Sequence, residues 1–119
     1  MNVSSQSAEL PQPFMTTYAA AKSGLETISA GLRYELKGDG IRVLVCQVGI
    51  VADTVPKRGF TELRARIAAS WAKTGIAPMY IYPGAPARAI AAAVVHAVTA
   101  PREIDIQMIK LRGGERPPV

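Results

Sequence analysis

The chain has 119 residues, of which 49% are hydrophobic and 19% are charged. This balance excludes an intrinsically disordered chain, and the length fits one domain with a real core rather than two independent ones. The formal charge is +5, but the basic residues are scattered and aromatic residues are few, so we expect no nucleic-acid binding.

The chain carries no sign of a membrane or secretion segment. No apolar stretch reaches the roughly 20 residues that span a bilayer, and the first residues lack the basic and apolar regions of a secretion signal. We therefore expect a cytoplasmic protein. The single cysteine, Cys46, excludes an internal disulfide and is predicted to be a buried strand residue, with a reactive thiol as the alternative. The lone histidine, His96, is predicted to be structural, and no metal-ligand cluster is present.

The first half of the sequence predicts a strand, a long helix and a second strand. Residues 1–5 have the composition of a strand end, which suggests that the strand begins before the chain does. Residues 14–37 are rich in alanine and carry an apolar stripe at helical spacing, and Gly38 and Gly40 stop the run. The stripe consists of Leu25, Ile28, Leu32 and Leu36. Residues 41–48 are nearly continuously apolar, as in a strand buried on both faces of a parallel sheet, so the three elements predict a βαβ unit.

The second half predicts two further helices and a last strand. Residues 57–73 place Phe60, Leu63, Ile67 and Trp71 on one stripe of an otherwise polar helix. Because this helix follows the carboxyl end of a parallel strand, where α/β proteins bind ligands, it is either a lid or an ordinary packed helix. The remaining predictions are a connection over residues 74–83, a helix over 85–99, an alternating strand over 104–111 and a frayed tail over 113–119.

The most informative short pattern is Tyr18 followed four residues later by Lys22. Residues four apart on a helix share one face, so a phenol and an ammonium can lie in one small volume. A nearby ammonium favours the phenolate, which suits a group that donates and accepts a proton near neutral pH. Such pairs also occur by chance on solvated helices, so the pair alone does not establish a site.

The surroundings of this pair resemble the C-terminal half of the classical short-chain dehydrogenases/reductases. The family's strand ending Asn-x-Ser-Ser is similar to residues 2–5, and its active serine precedes the tyrosine by thirteen residues, which is the separation of Ser5 from Tyr18. The Ala-Lys-Ser-Gly-Leu continuation and the strand Ile-Arg-Val-Leu-Val also agree. The resemblance implies an α/β fold in one domain over residues 1–119, a partial Rossmann-like doubly wound parallel sheet containing the last three strands with their helices.

The resemblance also implies roles for individual residues. Tyr18 would be the general acid in carbonyl reduction and the base in alcohol oxidation, and Ser5 would hydrogen-bond the substrate oxygen. Lys22 would favour the tyrosinate and bind the nicotinamide ribose of NAD or NADP, which Tyr18 would also contact. Further cofactor contacts would come from the loop after the second strand: Gly49, the Ile50 backbone and Thr54.

Three departures from the family pattern limit this interpretation. Val48 stands where the family has proline, and Thr54 lies one position later than usual. The Gly-rich turn that holds the cofactor pyrophosphate is not among these 119 residues. We therefore expect a fragment with poor dinucleotide affinity, an exposed edge on its first strand and a tendency to self-associate.

Two hypotheses about function follow from the sequence. The first is an NAD(P)-dependent oxidoreductase that reduces small-molecule carbonyls or oxidises secondary alcohols, inactive as this isolated fragment. The second is a non-catalytic remnant of such an enzyme that acts, if at all, by docking onto another subunit. The substrate, the choice between NAD and NADP, the reaction direction and the oligomer number are left open.

Overall fold

Three strands form one parallel sheet in the computed structural model, which describes residues 1–53, 60–74 and 84–114. In chain order they are β1 (Asn2–Ser5), β2 (Val45–Val48) and β3 (Met108–Leu111). They lie in the order β1-β2-β3, and the register pairs Val45 with Asn2 on one side and with Met108 on the other. The predicted α/β class and the partial Rossmann-like sheet are confirmed.

Helices fill the two connections between these strands. Helix α1 (Thr16–Glu35) joins β1 to β2, whereas α2 (Phe60–Thr74) and α3 (Ala87–Val98) lie between β2 and β3. None of these helices is long and apolar enough to cross a membrane, as judged over the described ranges. The predicted βαβ unit is therefore present as β1-α1-β2.

The predicted start of the first helix at residue 14 is wrong. Phe14 has a φ of 64°, a left-handed backbone conformation that a right-handed helix does not contain. Helix α1 therefore begins at Thr16 and ends at Glu35, and a 3-10 turn over Lys37–Asp39 follows it. Gly40 then takes a φ of 67°, which glycine adopts without the steric cost of a Cβ atom.

Strands β2 and β3 are also shorter than the predicted runs of residues 41–48 and 104–111. One reason is the side chain of Arg33, which donates hydrogen bonds to the carbonyls of Val43 at 2.9 Å and Gln107 at 2.7 Å. The Val43 carbonyl, just before β2, thus accepts from a side chain where regular pairing stops. The Gln107 carbonyl also accepts the N–H of Val45 at 3.0 Å, so it still takes part in the pairing of β2 with β3.

The core is centred on β2. Val45 and Cys46 are fully buried, and Val43 and Leu44 nearly so. Cys46 is thus a buried strand residue, as predicted, and burial raises the pKa of its thiol. On α2, Ile67 of the predicted stripe is buried but Leu63 is exposed. The side chains of Phe60 and Trp71, and the connection over residues 75–83, lie outside what the structure describes.

Helix α1 meets the sheet through a row of polar side chains, while Leu25, Leu32 and Leu36 are half-buried. Ile28 of the predicted apolar stripe is 60% exposed. Four polar residues at helical spacing instead bond to the strands or to the segments beside them, and we call them the polar stripe of α1: Lys22, Glu26, Ser29 and Arg33. The orientation of α1 on the sheet is therefore set by directional hydrogen bonds.

A surface ion pair joins the segment after β1 to the end of β3. The carboxylate of Glu9 accepts hydrogen bonds from Lys110 Nζ at 2.8 Å and Arg112 Nη2 at 3.0 Å. The hydrogen bond from Lys110 is the main cause that lowers the pKa of Glu9 below its ordinary value of 4.5.

This ion pair predicts a pH-dependent contribution to stability. Because the pKa of Glu9 is lowered in the folded chain, its contribution is present above pH 4.5 and is lost as the pH falls through the folded-state pKa. An NMR titration of the Glu9 carboxyl carbon should show a midpoint below 4.5, and Lys110→Met should raise that midpoint. Lys73→Met, which removes a lysine of α2, should leave it unchanged; an unshifted midpoint in Lys110→Met would contradict the assignment.

Candidate active site

The carboxyl ends of the strands gather the residues singled out in the sequence. Ser5 ends β1 and is paired in register with Val48, the last residue of β2. Because the strands are parallel, Ser5 and Gly49 leave the sheet at the same edge, which is the edge where open α/β sheets bind ligands. The first turns of α1, which carry Tyr18 and Lys22, pack against β1 close to this edge.

Tyr18 and Lys22 lie together, as the helical spacing predicted. The ammonium of Lys22 is 5.7 Å from the centre of the Tyr18 ring, within the range of a cation–π contact. The same ammonium donates a hydrogen bond to the carbonyl oxygen of Val3 at 2.8 Å. A strand of the sheet therefore fixes the lysine beside the phenol, while Tyr18 itself remains 45% exposed and accessible from solvent.

The two serines at the end of β1 differ in what they contact. Ser4 is buried, and its hydroxyl donates to Glu26 Oε1 at 2.6 Å. Ser5 is half-buried, and its Oγ accepts the backbone N–H of Ser7 at 3.2 Å, which caps a short 3-10 helix over Gln6–Ala8. Among the described residues the Ser5 hydroxyl donates no hydrogen bond, so its proton is available to a ligand oxygen.

Ser5 is not hydrogen-bonded to Tyr18 in this structure. The Ser5 hydroxyl oxygen accepts the N–H of Ser7, and the Tyr18 ring contacts the ammonium of Lys22. The geometry therefore joins the Tyr18–Lys22 pair directly and brings Ser5 to the same sheet edge.

The loop after β2 is held by its own backbone contacts. Gly49 donates its N–H to the carbonyl of Leu111 at 2.8 Å, and a Cβ atom there would lie 3.0 Å from Gln6 Oε1. The carbonyl of Ile50 accepts the N–H of Ala85 at 2.9 Å. A side chain at position 49 would thus crowd Gln6. The N–H of Gly49 and the carbonyl of Ile50 are both engaged in hydrogen bonds within the chain. Thr54 lies outside the described residues.

The same loop is tied to the start of α3. Ala52 donates its N–H to Ala85 at 3.0 Å, and Asp53 Oδ1 accepts the N–H of Ala87 at 2.7 Å. A carboxylate at the first turn of a helix satisfies a free N–H and complements the helix dipole. A Cβ atom on Gly84 would approach Ala52 N to 2.7 Å, so only glycine allows the two segments to come this close.

Helix α2 reaches the segment that leads into α1. The guanidinium of Arg66 lies 5.9 Å from the centre of the Phe14 ring, and Phe14 is 61% exposed. Phe14 precedes Tyr18 by four residues, so this contact places α2 near the candidate site. Both alternatives for α2, a lid and an ordinary packed helix, are compatible with it.

A buried polar cluster beneath this edge was not predicted from the sequence. Glu26 Oε1 accepts hydrogen bonds from Ser4 and, at 3.2 Å, from Gln47 Nε2, and Gln47 is 2% exposed at the centre of the sheet. Nearer the start of β1, Asn2 Nδ2 donates a hydrogen bond to Ser29 Oγ at 2.9 Å. Two signals were present: Gln47 interrupts an apolar run, and Glu26 follows Lys22 by four residues on the same helix face.

The cluster has a consequence for the candidate site. Glu26 joins α1 to Ser4 on β1 and to Gln47 on β2. Since Ser4 directly precedes Ser5, and Lys22 lies one turn from Glu26, the same carboxylate sets how the helix and the strand end are placed relative to each other.

Replacement of Glu26 tests whether this carboxylate holds α1 on the sheet, because it should lower the free energy of unfolding. Glu26→Ala leaves the buried Gln47 amide without its acceptor and the Ser4 hydroxyl with only the Lys22 carbonyl at 3.5 Å, which should cost about 2 kcal/mol in the free energy of unfolding. Glu26→Gln keeps an amide oxygen as acceptor and should cost less than about 1 kcal/mol. Urea unfolding measures both, with the exposed Glu35→Ala on the same helix as control. A loss in Glu26→Ala no greater than in the control would show that the cluster does not hold α1.

Comparisons with known proteins bear on the family and on the fold. Residues 1–57, slightly less than half of the chain, match the family model described as short chain dehydrogenase. No curated protein gives a significant match. A solved structure described as "The Closed form of serine dehydrogenase complexed with NADP+" is similar at 22% identity, with a TM-score of 0.67, over 92% of this chain and 42% of that one.

The chain thus spans less than half the length of this structural neighbour. At that identity the likeness concerns the fold, whereas the family match covers the segment that contains Ser5, Tyr18, Lys22 and Gly49. The family match supports the resemblance of residues 1–57 to the short chain dehydrogenases, and the structural neighbour supports the α/β fold.

Proposed function

We propose that the chain forms the substrate and nicotinamide end of an active site of the short-chain dehydrogenase/reductase family. The activity would be NAD(P)-dependent reduction of a small-molecule carbonyl or oxidation of a secondary alcohol. The observation that carries the proposal is the Lys22 ammonium, held between the Tyr18 ring at 5.7 Å and the Val3 carbonyl at 2.8 Å. The family match over residues 1–57 supports it independently.

Tyr18 is the proposed proton donor and acceptor. In the direction of reduction its hydroxyl gives a proton to the substrate oxygen, and the fixed charge of Lys22 stabilises the phenolate that remains. In the direction of oxidation the same phenolate takes the proton of the alcohol. Ser5 donates its unused hydroxyl proton to the same oxygen and stabilises the negative charge that develops there.

The residues at this sheet edge fit the nicotinamide end of the cofactor, NAD or NADP. Lys22 uses one of its three ammonium protons for Val3, which leaves two for ribose hydroxyls. The Gly49 N–H and the Ile50 carbonyl are already bonded within the chain. These two groups would therefore not hydrogen-bond the cofactor, and the two residues would form a wall against the nicotinamide. When bound, the nicotinamide would supply or accept the hydride. The structural neighbour was solved in complex with NADP+, which supports this cofactor class.

The proposal predicts that the chain binds nicotinamide riboside, the part of the cofactor that carries no phosphate. In NMR spectra of the 119-residue chain, reduced nicotinamide riboside should shift the amide signals of Ser5, Tyr18 and Lys22. Lys22→Met should weaken binding by about tenfold, because it removes the charged hydrogen-bond donor. Lys73→Met, which removes an exposed lysine of α2, is the matched control and should bind as the wild type does.

Two results would contradict this prediction. Shifts confined to residues away from the sheet edge would place the ligand elsewhere. Equal binding by wild type and Lys22→Met would remove the lysine from the site.

A non-catalytic docking role is the second candidate, and the edge of β1 favours it. Within the described part of the chain β1 pairs with β2 alone, and the side chain of Val3 is 49% exposed. A sheet edge with unpaired backbone groups invites another strand.

Size-exclusion chromatography with light scattering separates the two candidates. If the edge of β1 is a docking surface, the chain should elute as a dimer or larger, and Val3→Lys should shift it to the monomer because charge on an edge strand opposes pairing. Val95→Lys, at a 58% exposed position on α3, is the control and should not shift it. A stable wild-type monomer with cooperative unfolding would argue against docking.

A further inference from the structure

A cleft of about 650 Å³ lies at the end of the sheet opposite to Tyr18. Its walls come from the last turns of α1, the turn that follows it and the segments before β2 and β3. This volume falls in the range of small-molecule binding sites, and a concave wall suits a small ligand better than a flat macromolecular surface does.

The cleft is strongly cationic. Its lining contains four basic residues and one acidic residue, a formal difference of three positive charges: Arg33, Lys37, Arg42, Arg102 and Asp105. In the described part of the chain the ion pairs of basic residues are those that Glu9 makes with Lys110 and Arg112. No carboxylate of the described residues therefore forms an ion pair with the cations of the cleft, and Asp105 offsets one of their four charges.

Two of the arginines are fixed by neutral acceptors. Arg33 donates to the carbonyls of Val43 and Gln107. Arg42 Nη1 donates to the carbonyls of Ala100 at 3.1 Å and Ile104 at 3.0 Å. A carbonyl holds a guanidinium in place without cancelling its charge, so both charges are ordered before any ligand arrives and lose little side-chain entropy on binding.

The other groups of the cleft are free to contact a ligand. Lys37 and Arg102 are exposed, and neither donates a hydrogen bond to another described residue. The side chain of Tyr34 is 85% exposed at the rim and offers a flat face to a ring. Asp105, held by Gln107 Nε2 at 3.3 Å, disfavours a ligand that is anionic throughout and favours one that also carries hydroxyl groups.

We propose that this cleft binds a nucleoside phosphate. The phosphate would lie among the four cations. Arg102 would bind phosphate oxygens through paired charge-assisted hydrogen bonds, whereas Arg33 and Arg42, which already donate to carbonyls, would contribute mainly their charge. The sugar hydroxyls would face Asp105 and the base would stack on Tyr34. The site is separate from the proposed nicotinamide end, so it stands or falls independently of the proposed oxidoreductase activity.

Isothermal titration of the 119-residue chain with adenosine monophosphate, pyrophosphate and citrate, at one fixed ionic strength, tests the proposal. Adenosine monophosphate should bind, pyrophosphate should bind more weakly, and citrate should bind more weakly still. The double variant Lys37→Gln/Arg102→Gln should weaken adenosine monophosphate binding by about tenfold or more. Tyr34→Ala should weaken binding of the nucleotide several-fold and leave pyrophosphate unchanged.

The matched control is Lys73→Gln/Arg88→Gln, which removes two exposed charges from α2 and α3 outside the cleft. It should bind the nucleotide as the wild type does. Absence of binding would show that the arginines only brace the loops that they contact. An equal loss in the control would indicate attraction by overall charge, and citrate binding as tight as that of the nucleotide would overturn selection for phosphate.

Discussion

The contact on which the rest of the structure depends is the polar stripe of α1 lying on a small parallel sheet. A strand of four residues has little apolar surface to offer, so burial alone would hold the helix weakly and without direction. Hydrogen bonds from Lys22 to Val3 and from Ser4 and Gln47 to Glu26 fix the rotation of the helix instead. Buried polar groups of this kind are stabilising when they find a partner, as Gln47 Nε2 does in Glu26, whereas Gln47 Oε1 has no partner among the described residues.

The same stripe serves both ends of the sheet. At the carboxyl ends of the strands, Lys22 is held beside Tyr18 by the Val3 carbonyl. At the amino ends, Arg33 bonds to the carbonyls that precede β2 and β3 and contributes a fixed charge to the cationic cleft. One helix therefore supports the proposed active site and the proposed phosphate site, about three turns apart along its axis.

Predictions from the sequence succeeded where they depended on local spacing. The four-residue interval placed Tyr18 beside Lys22, and the apolar run around Cys46 identified a buried strand. They were wrong at element boundaries. Phe14 is excluded from α1 by its left-handed backbone, and β2 begins only at Val45. Such boundaries depend on distant partners, for example the bond from Arg33 to Val43, which a local pattern does not contain.

The sequence by itself determined the alternation of strand and helix and the spacing of Ser5, Tyr18 and Lys22, because backbone periodicity decides which residues share a face. Only the tertiary structure decided what those faces meet. It showed that the Ser4 hydroxyl donates to Glu26, whereas the Ser5 hydroxyl donates to no described residue, and that Lys37, Arg42 and the distant Arg102 line one cleft. The reason is physical: hydrogen bonds and charges act through space, so their partners are set by how the elements pack.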